Sequence, residues 1–360
     1  MRIIQILPTL SFGDAIGNDT IALKGAIADM GFDSEIYAEN VDKRLPSDIA
    51  KNIGRLKGLK PDDIILYHKS TGTELTFKLD EFKCRKIMIY HNITPPEFFA
   101  PYSPAAERLT KFGYEGVEFL RDKVELCLAD SSYNKSELIR MGYDCPIKVR
   151  PILIKFDDYK QTPDKTVLKN CSDGKTNLIF VGRIAPNKKQ ENIIRAFYWY
   201  KRINPDSRLI LVGSYTGMEN YFERLVKYTK ALGLEEDVIF TGHIKFSEIL
   251  AYYHSAHAFV CMSEHEGFCV PLAEAMFFDV PIIAYDTSAI SDTLGGSGVL
   301  INDNDPVFAA HVIDRVVSDN ALRNHIIEGQ RKRLEDFSYN KIKNIFEKQL
   351  KDFIKDKNCR

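Results

Sequence analysis

The stretch NLIFVGRIAPNKKQENIIRAF, residues 177–197, contains the building unit from which the rest of the fold can be worked out. Residues 177–182 form a short apolar run that ends in glycine, which is typical of a buried strand. Residues 191–203 carry apolar side chains at helical spacing. A buried strand joined to a helix by a short loop is the unit of a parallel α/β sheet. The stretch therefore predicts an α/β fold, with its loop at the carboxyl edge of a strand.

The same alternation of apolar runs and helical segments occurs twice along the chain. A polar segment that contains a proline and several charges, residues 156–174, separates the two series and is interpreted as a linker. The predicted strands are 3–7, 34–38, 63–68, 86–91, 124–129 and 147–152 before it, and 177–182, 208–213, 238–242, 258–262, 280–285 and 298–301 after it. Two such series predict two parallel sheets with right-handed crossovers and a ligand in the cleft between them.

The length of 360 residues agrees with two domains. We expect an N-terminal domain over residues 1–155, the linker over 156–174 and a C-terminal domain over 175–337. Residues 338–360 form a final, mostly helical segment. In the first domain, the loop PTLSFGDAIGN is expected to lead into a helix that spans about Asp19 to Met30.

The composition excludes several classes of protein. The apolar fraction is 44%, the charged fraction 28% and the net charge −1, which is typical of a soluble globular protein without bulk attraction for nucleic acid. The seven cysteines are scattered and contain no C-x-x-C pair, which argues against a disulfide scaffold and a cysteine zinc site. The apolar run at the amino terminus is too short for a signal peptide. We expect a cytoplasmic protein, with a peripheral membrane contact left open.

The loop that follows residues 177–182 carries two cations, Arg183 and Lys188. One arginine can bind two oxygens of a phosphate at once, and two fixed cations at the end of a strand suit a diphosphate. A solvated basic loop is the alternative, but the position directly after Gly182, at the predicted carboxyl edge, favours binding.

The stretch SEHEGFCVPLAEAM, residues 263–276, follows a predicted strand and begins a helix. Pro271 suits the first turn of a helix, and the amides of 267–270 then lie at a helix N-terminus, which favours an anion. Glu266 and Glu274 flank this position, and carboxylates accept hydrogen bonds from sugar or ribose hydroxyls. The alternative is that both acids only stabilise the helix N-terminus electrostatically.

The first half of the chain offers weaker signals. Gly13 and Gly17 follow the first strand, but their spacing differs from the dinucleotide-binding fingerprint. Such a glycine pair often marks only a turn, and the alternative is that its backbone approaches a phosphate or sugar. His91 and Asn92 end a strand, where a histidine can bind a ligand hydroxyl or a backbone carbonyl. For His91 alone, a structural role is slightly favoured.

No set of residues has the spacing of a metal site. His254 and His257 lack recognised ligand spacing, and residues 303–305, Asp-Asn-Asp, are interpreted as a loop with a helix cap. We expect no metal.

Together these motifs resemble the retaining glycosyltransferases of the GT-B architecture, family 4, in which two Rossmann-like domains face each other across a cleft. FVGRIAPNKKQENIIRAF resembles the Gly-Arg…Lys donor-phosphate loop of that family, and EGFCVPLAEAM its Glu–seven residues–Glu motif. GDAIGND and YHNITP resemble the acceptor side of a subgroup that makes surface polysaccharides. The sequence departs from the family at Cys269, where glycine is commoner, and at Lys189, where glycine commonly follows the lysine.

The resemblance implies a role for each motif residue. Arg183 and Lys188 would hold the diphosphate, Glu274 the ribose, and Glu266 the donor sugar. His91 would border the sugar and the acceptor, so the implied catalytic residues are His91, Arg183, Lys188 and Glu266. The other implied donor contacts are Gly13, Gly17, Gly182, His243, Ile244, Gly267, Phe268, Cys269 and Val270. The family also implies catalysis without a metal or cofactor, and a final helix that crosses back to the first domain.

The function expected from this resemblance is transfer of a hexose from a nucleoside-diphosphate sugar to a glycan or a polyprenyl-linked acceptor. GDP-mannose, a UDP-hexose and a dTDP-hexose are the candidate donors. Two alternatives stay open from the sequence: a nucleotide-sugar epimerase with a similar fold, and a subunit that binds a nucleotide sugar without catalysis.

Overall fold

The computed structural model describes residues 1–356 and divides into two compact units. The first unit contains residues 1–96, residues 107–155 and the chain from residue 336 onward. The second unit contains residues 97–106 and 156–335.

The first unit is built on a seven-stranded sheet in which every pair of neighbouring strands is parallel. Its elements are β1 (Arg2–Leu10), α1 (Ala15–Asp29), β2 (Asp33–Val41), β3 (Lys51–Asn52), β4 (Ile64–Lys69), α2 (Leu75–Lys78), β5 (Arg85–Tyr90), α3 (Pro104–Leu120), β6 (Leu126–Ala129), α4 (Ser132–Arg140) and β7 (Ile147–Val149). The first three residues of α3, 104–106, belong to the second unit. The strand order is β3-β2-β1-β4-β5-β6-β7. Helices cover both faces of a parallel sheet, which is why its central strands are almost continuously apolar.

The second unit contains a six-stranded parallel sheet in the order β10-β9-β8-β11-β12-β13. Its elements are α5 (Lys165–Cys171), β8 (Thr176–Val181), α6 (Gln190–Ile203), β9 (Ser207–Val212), α7 (Glu219–Ala231), β10 (Val238–Gly242), α8 (Phe246–Ser255), β11 (Ala258–Cys261), α9 (Val270–Phe277), β12 (Ile282–Tyr285), α10 (Ile290–Leu294), β13 (Val299–Ile301), α11 (Pro306–Ser318) and α12 (Asn320–Leu334). From the central strand β8 the chain proceeds outward in one direction, and from β11 in the other.

The last helix, α13 (Tyr339–Lys355), belongs to the first unit. Its apolar residues Ile342, Phe346, Leu350 and Phe353 are buried in the same core cluster as side chains of α1 and β1. The core of the first unit therefore contains side chains from both the first and the last helix of the described chain.

All twelve predicted strands are present, and the parallel arrangement is confirmed. The two-residue strand β3 was missed because its residues are exposed and give no apolar signal. The first helix was predicted to begin near Asp19 but begins at Ala15, because Asp14 caps it by accepting a hydrogen bond from the Gly17 amide (3.2 Å). The segment interpreted as a linker contains a 3₁₀ turn at Phe156–Lys160 and helix α5, both in the second unit. Among residues 1–356, no helix is long and apolar enough to cross a bilayer.

Candidate functional site

Most of the predicted donor-binding residues lie at one edge of the sheet in the second unit. The residues 182–188 follow β8, residues 243–244 follow β10, and residues 263–269 follow β11. Because the strands are parallel, their carboxyl ends meet at the same edge. The strand order reverses between β8 and β11, and ligands of open α/β sheets bind at such a switch point. The loops that carry Lys188 and Glu266 flank this point.

Two glycines make the close backbone contact at the base of the site. Gly182 and Gly213 both have a φ of 155°, which side-chain-bearing residues rarely adopt. A Cβ atom on Gly213 would lie 2.0 Å from the carbonyl oxygen of Gly182. The sequence analysis did not single out Gly213. The signal was available, because the apolar runs NLIFVG and RLILVG both end in Val-Gly.

Lys188 and Glu266 form an ion pair, with Lys188 Nζ 2.5 Å from Glu266 Oε2. The Glu266 side chain is 6% exposed and that of Lys188 is 21% exposed. Burial opposes the charge on Lys188, but the Glu266 carboxylate outweighs it and raises the pKa of the lysine. Glu266 Oε1 is buried and has no hydrogen-bond partner among residues 1–356. The pair therefore places a cation beside a carboxylate oxygen that can still accept hydrogen bonds.

Arg183 lies on the same loop but in a different environment. Its residue is exposed, and one of its N–H groups donates to the carbonyl oxygen of Thr216 (2.9 Å). Burial lowers the pKa of the guanidinium, and the Glu219 carboxylate stabilises its charge electrostatically, so a direct contact to an anion would be favourable.

Helix α9 begins at Val270 with Pro271 in its first turn, as the sequence predicts. Its N-cap, Cys269, has a φ of 67°, and Lys189, the N-cap of α6, has a φ of 50°. These are the two positions where the sequence departs from the glycine common in the family. The left-handed backbone explains that preference, because only glycine adopts it without steric cost.

Glu274 lies on α9 and is held by two tyrosines that sequence reasoning missed. Tyr159 donates to Oε1 and Tyr253 donates to Oε2, each over 2.6 Å. Burial raises the pKa of Glu274, and these two hydrogen bonds lower it by less. A carboxylate has about four acceptor positions, so both oxygens can still accept hydrogen bonds from hydroxyl groups. No motif of the sequence links Tyr159, in the polar segment, to this helix.

In the first unit, His91 lies in a buried hydrogen-bond network. Its side chain is 1% exposed, Nδ1 lies 2.8 Å from Asp130 Oδ2, and Nε2 lies 2.9 Å from Nδ1 of His68. Both ring nitrogens thus have internal partners, which fits the structural role that the sequence slightly favoured. The contact of His91 with the sugar and the acceptor stays a prediction.

The His91 network continues into a buried ion pair. Arg150 is fully buried and donates to both carboxylate oxygens of Asp19, at 2.7 and 2.8 Å. Its NH2 group also lies 3.5 Å from Asp130 Oδ1, and the other ring nitrogen of His68 lies 3.0 Å from Gln5 Oε1. His91, Asp130 and Arg150 follow β5, β6 and β7, respectively, while Asp19, Gln5 and His68 lie on α1, β1 and β4. The network therefore joins six elements of the first unit.

Four other residues that the sequence singled out lie in a loop, in helix α1, beside a strand or at a helix cap. Gly13 has a φ of 73° in the loop before α1, whereas Gly17 lies inside α1, where a Cβ would be 2.7 Å from the Ser11 carbonyl oxygen. His257 Nδ1 accepts a hydrogen bond from the Asn177 amide (3.0 Å). Asp305 caps α11 by accepting from the amides of Val307 and Phe308, which confirms the predicted helix cap.

The buried histidine His265 gives a prediction for the pH dependence of unfolding. Burial lowers its pKa to about 4, with a smaller opposing effect of Glu266. An unfolded histidine has a pKa of about 6.5, so between these values the unfolded chain binds a proton that the folded chain does not. Stability should therefore fall by roughly 1 kcal/mol per pH unit on acidification through this range.

The check is urea unfolding of the wild type and of His265→Gln at several pH values. We expect the stability difference between them to shrink on acidification, since the glutamine does not titrate. Equal pH slopes for the two proteins would show that His265 is not the titrating group.

Comparison with known families finds a match within the second unit. Residues 165–333 match the family described as Glycosyl transferases group 1. The chain is 23% identical over 244 residues to the O-antigen chain mannosyltransferase B of Escherichia coli, covering 65% of this chain and 62% of that protein. It is 26% identical over 180 residues to the capsular polysaccharide biosynthesis glycosyltransferase CapM of Staphylococcus aureus, covering 49% and 46%. The chain thus spans less than two thirds of the length of these curated relatives.

Solved structures agree over nearly the whole chain. HepE of Anabaena, solved in complex with UDP-glucose, superposes with a TM-score of 0.76 at 17% identity and covers 98% of this chain and 100% of its own. Sucrose-phosphate synthase of Thermosynechococcus elongatus superposes with a TM-score of 0.75 at 16% identity, covering 98% and 99%. At such identities the likeness establishes the fold. Residues 165–333, just under half of the chain, match the group 1 glycosyl transferases, and the chain has the GT-B fold.

Proposed function

We propose that this chain is a retaining hexosyltransferase that uses a nucleoside-diphosphate sugar and needs no metal. The observation that carries the proposal is the Lys188–Glu266 pair beside the N-terminus of α9. The pair supports the proposal because a cation that can bind a phosphate lies next to a carboxylate that can accept hydrogen bonds from sugar hydroxyls, at the switch point of a parallel sheet.

The chemistry follows from charge. When the nucleoside diphosphate departs, negative charge develops on its terminal phosphate, and Lys188, Arg183 and the amides at the start of α9 stabilise it. Fixed cations and amides of this kind do the work that a metal ion does in other transferases. Glu266 Oε1 accepts hydrogen bonds from hydroxyl groups of the sugar, while the Glu274 carboxylate accepts them from hydroxyl groups of the ribose.

The relatives support the choice of substrates. One is named as a mannosyltransferase of O-antigen chains, one as a capsular polysaccharide glycosyltransferase, and one structure holds UDP-glucose. We therefore propose GDP-mannose, a UDP-hexose or a dTDP-hexose as donor, and a glycan or polyprenyl-linked saccharide as acceptor in surface polysaccharide synthesis. A polyprenyl-linked acceptor would bring the enzyme to the cytoplasmic face of a membrane.

The first experiment is a melting-temperature screen against GDP-, UDP- and dTDP-sugars in the presence of EDTA. A ligand present at about a hundred times its Kd stabilises the folded state by roughly 3 kcal/mol, so one donor should raise the melting temperature selectively. The selected donor is then incubated with and without saccharide acceptors. Transfer only with an acceptor supports the proposal, a changed sugar without acceptor indicates an epimerase, and binding without either reaction indicates a binding subunit.

Glu266→Gln is expected to lower the rate of transfer and to leave the stereochemistry of the product unchanged. The proposed route is attack by the acceptor on the face from which the phosphate departs, with the phosphate taking the proton of the acceptor. Glu266 then orients hydroxyls and forms no bond to the sugar. The measurement is NMR of the anomeric proton of the product, together with mass spectrometry of the intact enzyme.

A glycosyl adduct on Glu266 would contradict this route, because a double-displacement mechanism needs a carboxylate nucleophile. An inverted product would contradict retention itself. Glu264→Gln is the matched control: Glu264 lies two positions away in the chain, pairs with Lys189 (3.0 Å), and should leave the rate nearly unchanged.

A further inference from the structure

The second unit brings two cysteines together with Glu266. Cys261 is the last residue of β11, and Cys269 is the N-cap of α9. Their sulfur atoms and a carboxylate oxygen of Glu266 all lie within 4.8 Å of one another. Cys261 is 0% exposed, Cys269 7% and Glu266 6%. The sequence argued against a cysteine zinc site because it lacks a C-x-x-C pair, but the fold supplies the proximity that the spacing does not.

The donor set is chemically that of a soft or borderline cation. Zn²⁺ is bound by cysteine sulfur at about 2.3 Å and by carboxylate oxygen at about 2.1 Å, so tetrahedral ligand atoms lie roughly 3.5–3.8 Å apart. In the structure the three ligand atoms lie at most 4.8 Å apart. Movements of about 1 Å would therefore bring them to the tetrahedral spacing. One carboxylate oxygen of Glu266, Oε1, has no hydrogen-bond partner among residues 1–356, and the other, Oε2, contacts Lys188.

The charges also balance. Two thiolates, one carboxylate and the Lys188 ammonium sum to a charge of −2, which a divalent cation neutralises. Each thiol releases its proton to solvent when the metal binds. Three protein ligands leave a fourth position for water, as in open zinc sites.

We propose that Cys261, Cys269 and Glu266 form a binding site for a thiophilic divalent cation such as Zn²⁺, and that this cation inhibits the enzyme by occupying the position of the donor sugar. The inhibitory part rests on the proposed function, because it requires Glu266 to bind the sugar. The metal site itself rests only on the three ligands.

The chain contains a matched control for ordinary packing of thiols. In the first unit, the sulfur atoms of Cys127 and Cys145 lie 3.6 Å apart. This pair belongs to neither of the clusters of three or more ligand groups found in residues 1–356. If contact between two thiols were enough to bind metal, both pairs would do so equally.

The experiment is a Co²⁺ titration of the whole protein under a phosphine reductant, because cobalt bound to thiolates gives sulfur-to-metal charge-transfer bands. We expect saturation at one Co²⁺ per chain, displacement by Zn²⁺, and the same bands in Cys127→Ala. Cys261→Ala and Cys269→Gly should lose the bands, and glycine suits the left-handed backbone at 269. Absence of bands in the wild type would overturn the site. Bands that persist in both Cys261→Ala and Cys269→Gly would also overturn it.

A second measurement separates the metal site from the proposed function. The melting-temperature increase caused by the selected nucleotide sugar is recorded with and without Zn²⁺. Loss of that increase with Zn²⁺, in the wild type but not in Cys261→Ala, is the expected result. Additive shifts from sugar and metal would overturn the inhibitory part. If no nucleotide sugar binds although cobalt does, the proposed function fails and the metal site stands.

Discussion

Replacing Lys188 by alanine is expected to lower kcat/KM by about 10²–10³-fold, the loss found when one preorganised electrostatic contact to a developing anion is removed. The cation is positioned by Glu266 and lies at the switch point of the sheet. Its charge is therefore fixed before the phosphate departs. The measurement is the initial rate with the donor and acceptor found in the screen, together with urea unfolding.

Lys189→Gly is the control for this experiment. Lys189 is the next residue, has a left-handed backbone, and pairs with Glu264 instead of Glu266. Its substitution should change kcat/KM by less than about threefold, because it removes a charge that contacts no phosphate in the proposed function. Equal losses for both lysines would show that only the net charge of the loop matters, and an active Lys188→Ala would refute the proposed site.

Arg150→Met is expected to destabilise the first unit by about 3–5 kcal/mol, the cost of leaving one partner of a buried ion pair without the other. Arg150 and Asp19 are both 0% exposed, and Leu153 also donates its amide to Asp19 Oδ1 (2.8 Å). The substitution leaves the Asp19 carboxylate in the core without its cation. Urea unfolding at neutral pH measures the loss.

Lys148→Met, two residues earlier and on β7, provides the comparison. Its side chain is 39% exposed and lies 3.8 Å from Asp352, so its loss should change the stability by less than about 1 kcal/mol. Adding Asp19→Asn to Arg150→Met should restore part of the lost stability, because the remaining carboxylate charge is removed. If Arg150→Met is no more destabilising than Lys148→Met, the buried pair contributes no stability.

Particular residues show how far the sequence could be interpreted. The apolar runs predicted every strand except β3, and Pro271 predicted the start of α9, because burial of strand residues and the lack of a proline amide are local properties. The position of Arg183 and Lys188 after a strand predicted a loop at the carboxyl edge. Topology then required the loops after β8 and β11 to flank the same point.

Tertiary structure alone decided which side chains meet. Arg150 and Asp19 are 131 residues apart in the chain, and Tyr159 and Glu274 are 115 apart. The ring of His91, for which the family resemblance implied a place beside the sugar, lies between His68 and Asp130. No local pattern encodes such pairs, because a charged or polar side chain is buried only where a distant partner compensates its desolvation.

The same limit applies to Cys261 and Cys269. Their spacing matches no metal motif, and only the turn between β11 and α9 brings both thiols to Glu266. The sequence by itself determined the α/β class, the two parallel sheets and the loops that carry the charged motifs, because these depend on periodicity and on turn residues. The fold decided the partner of each charge, because that depends on which strand ends lie side by side.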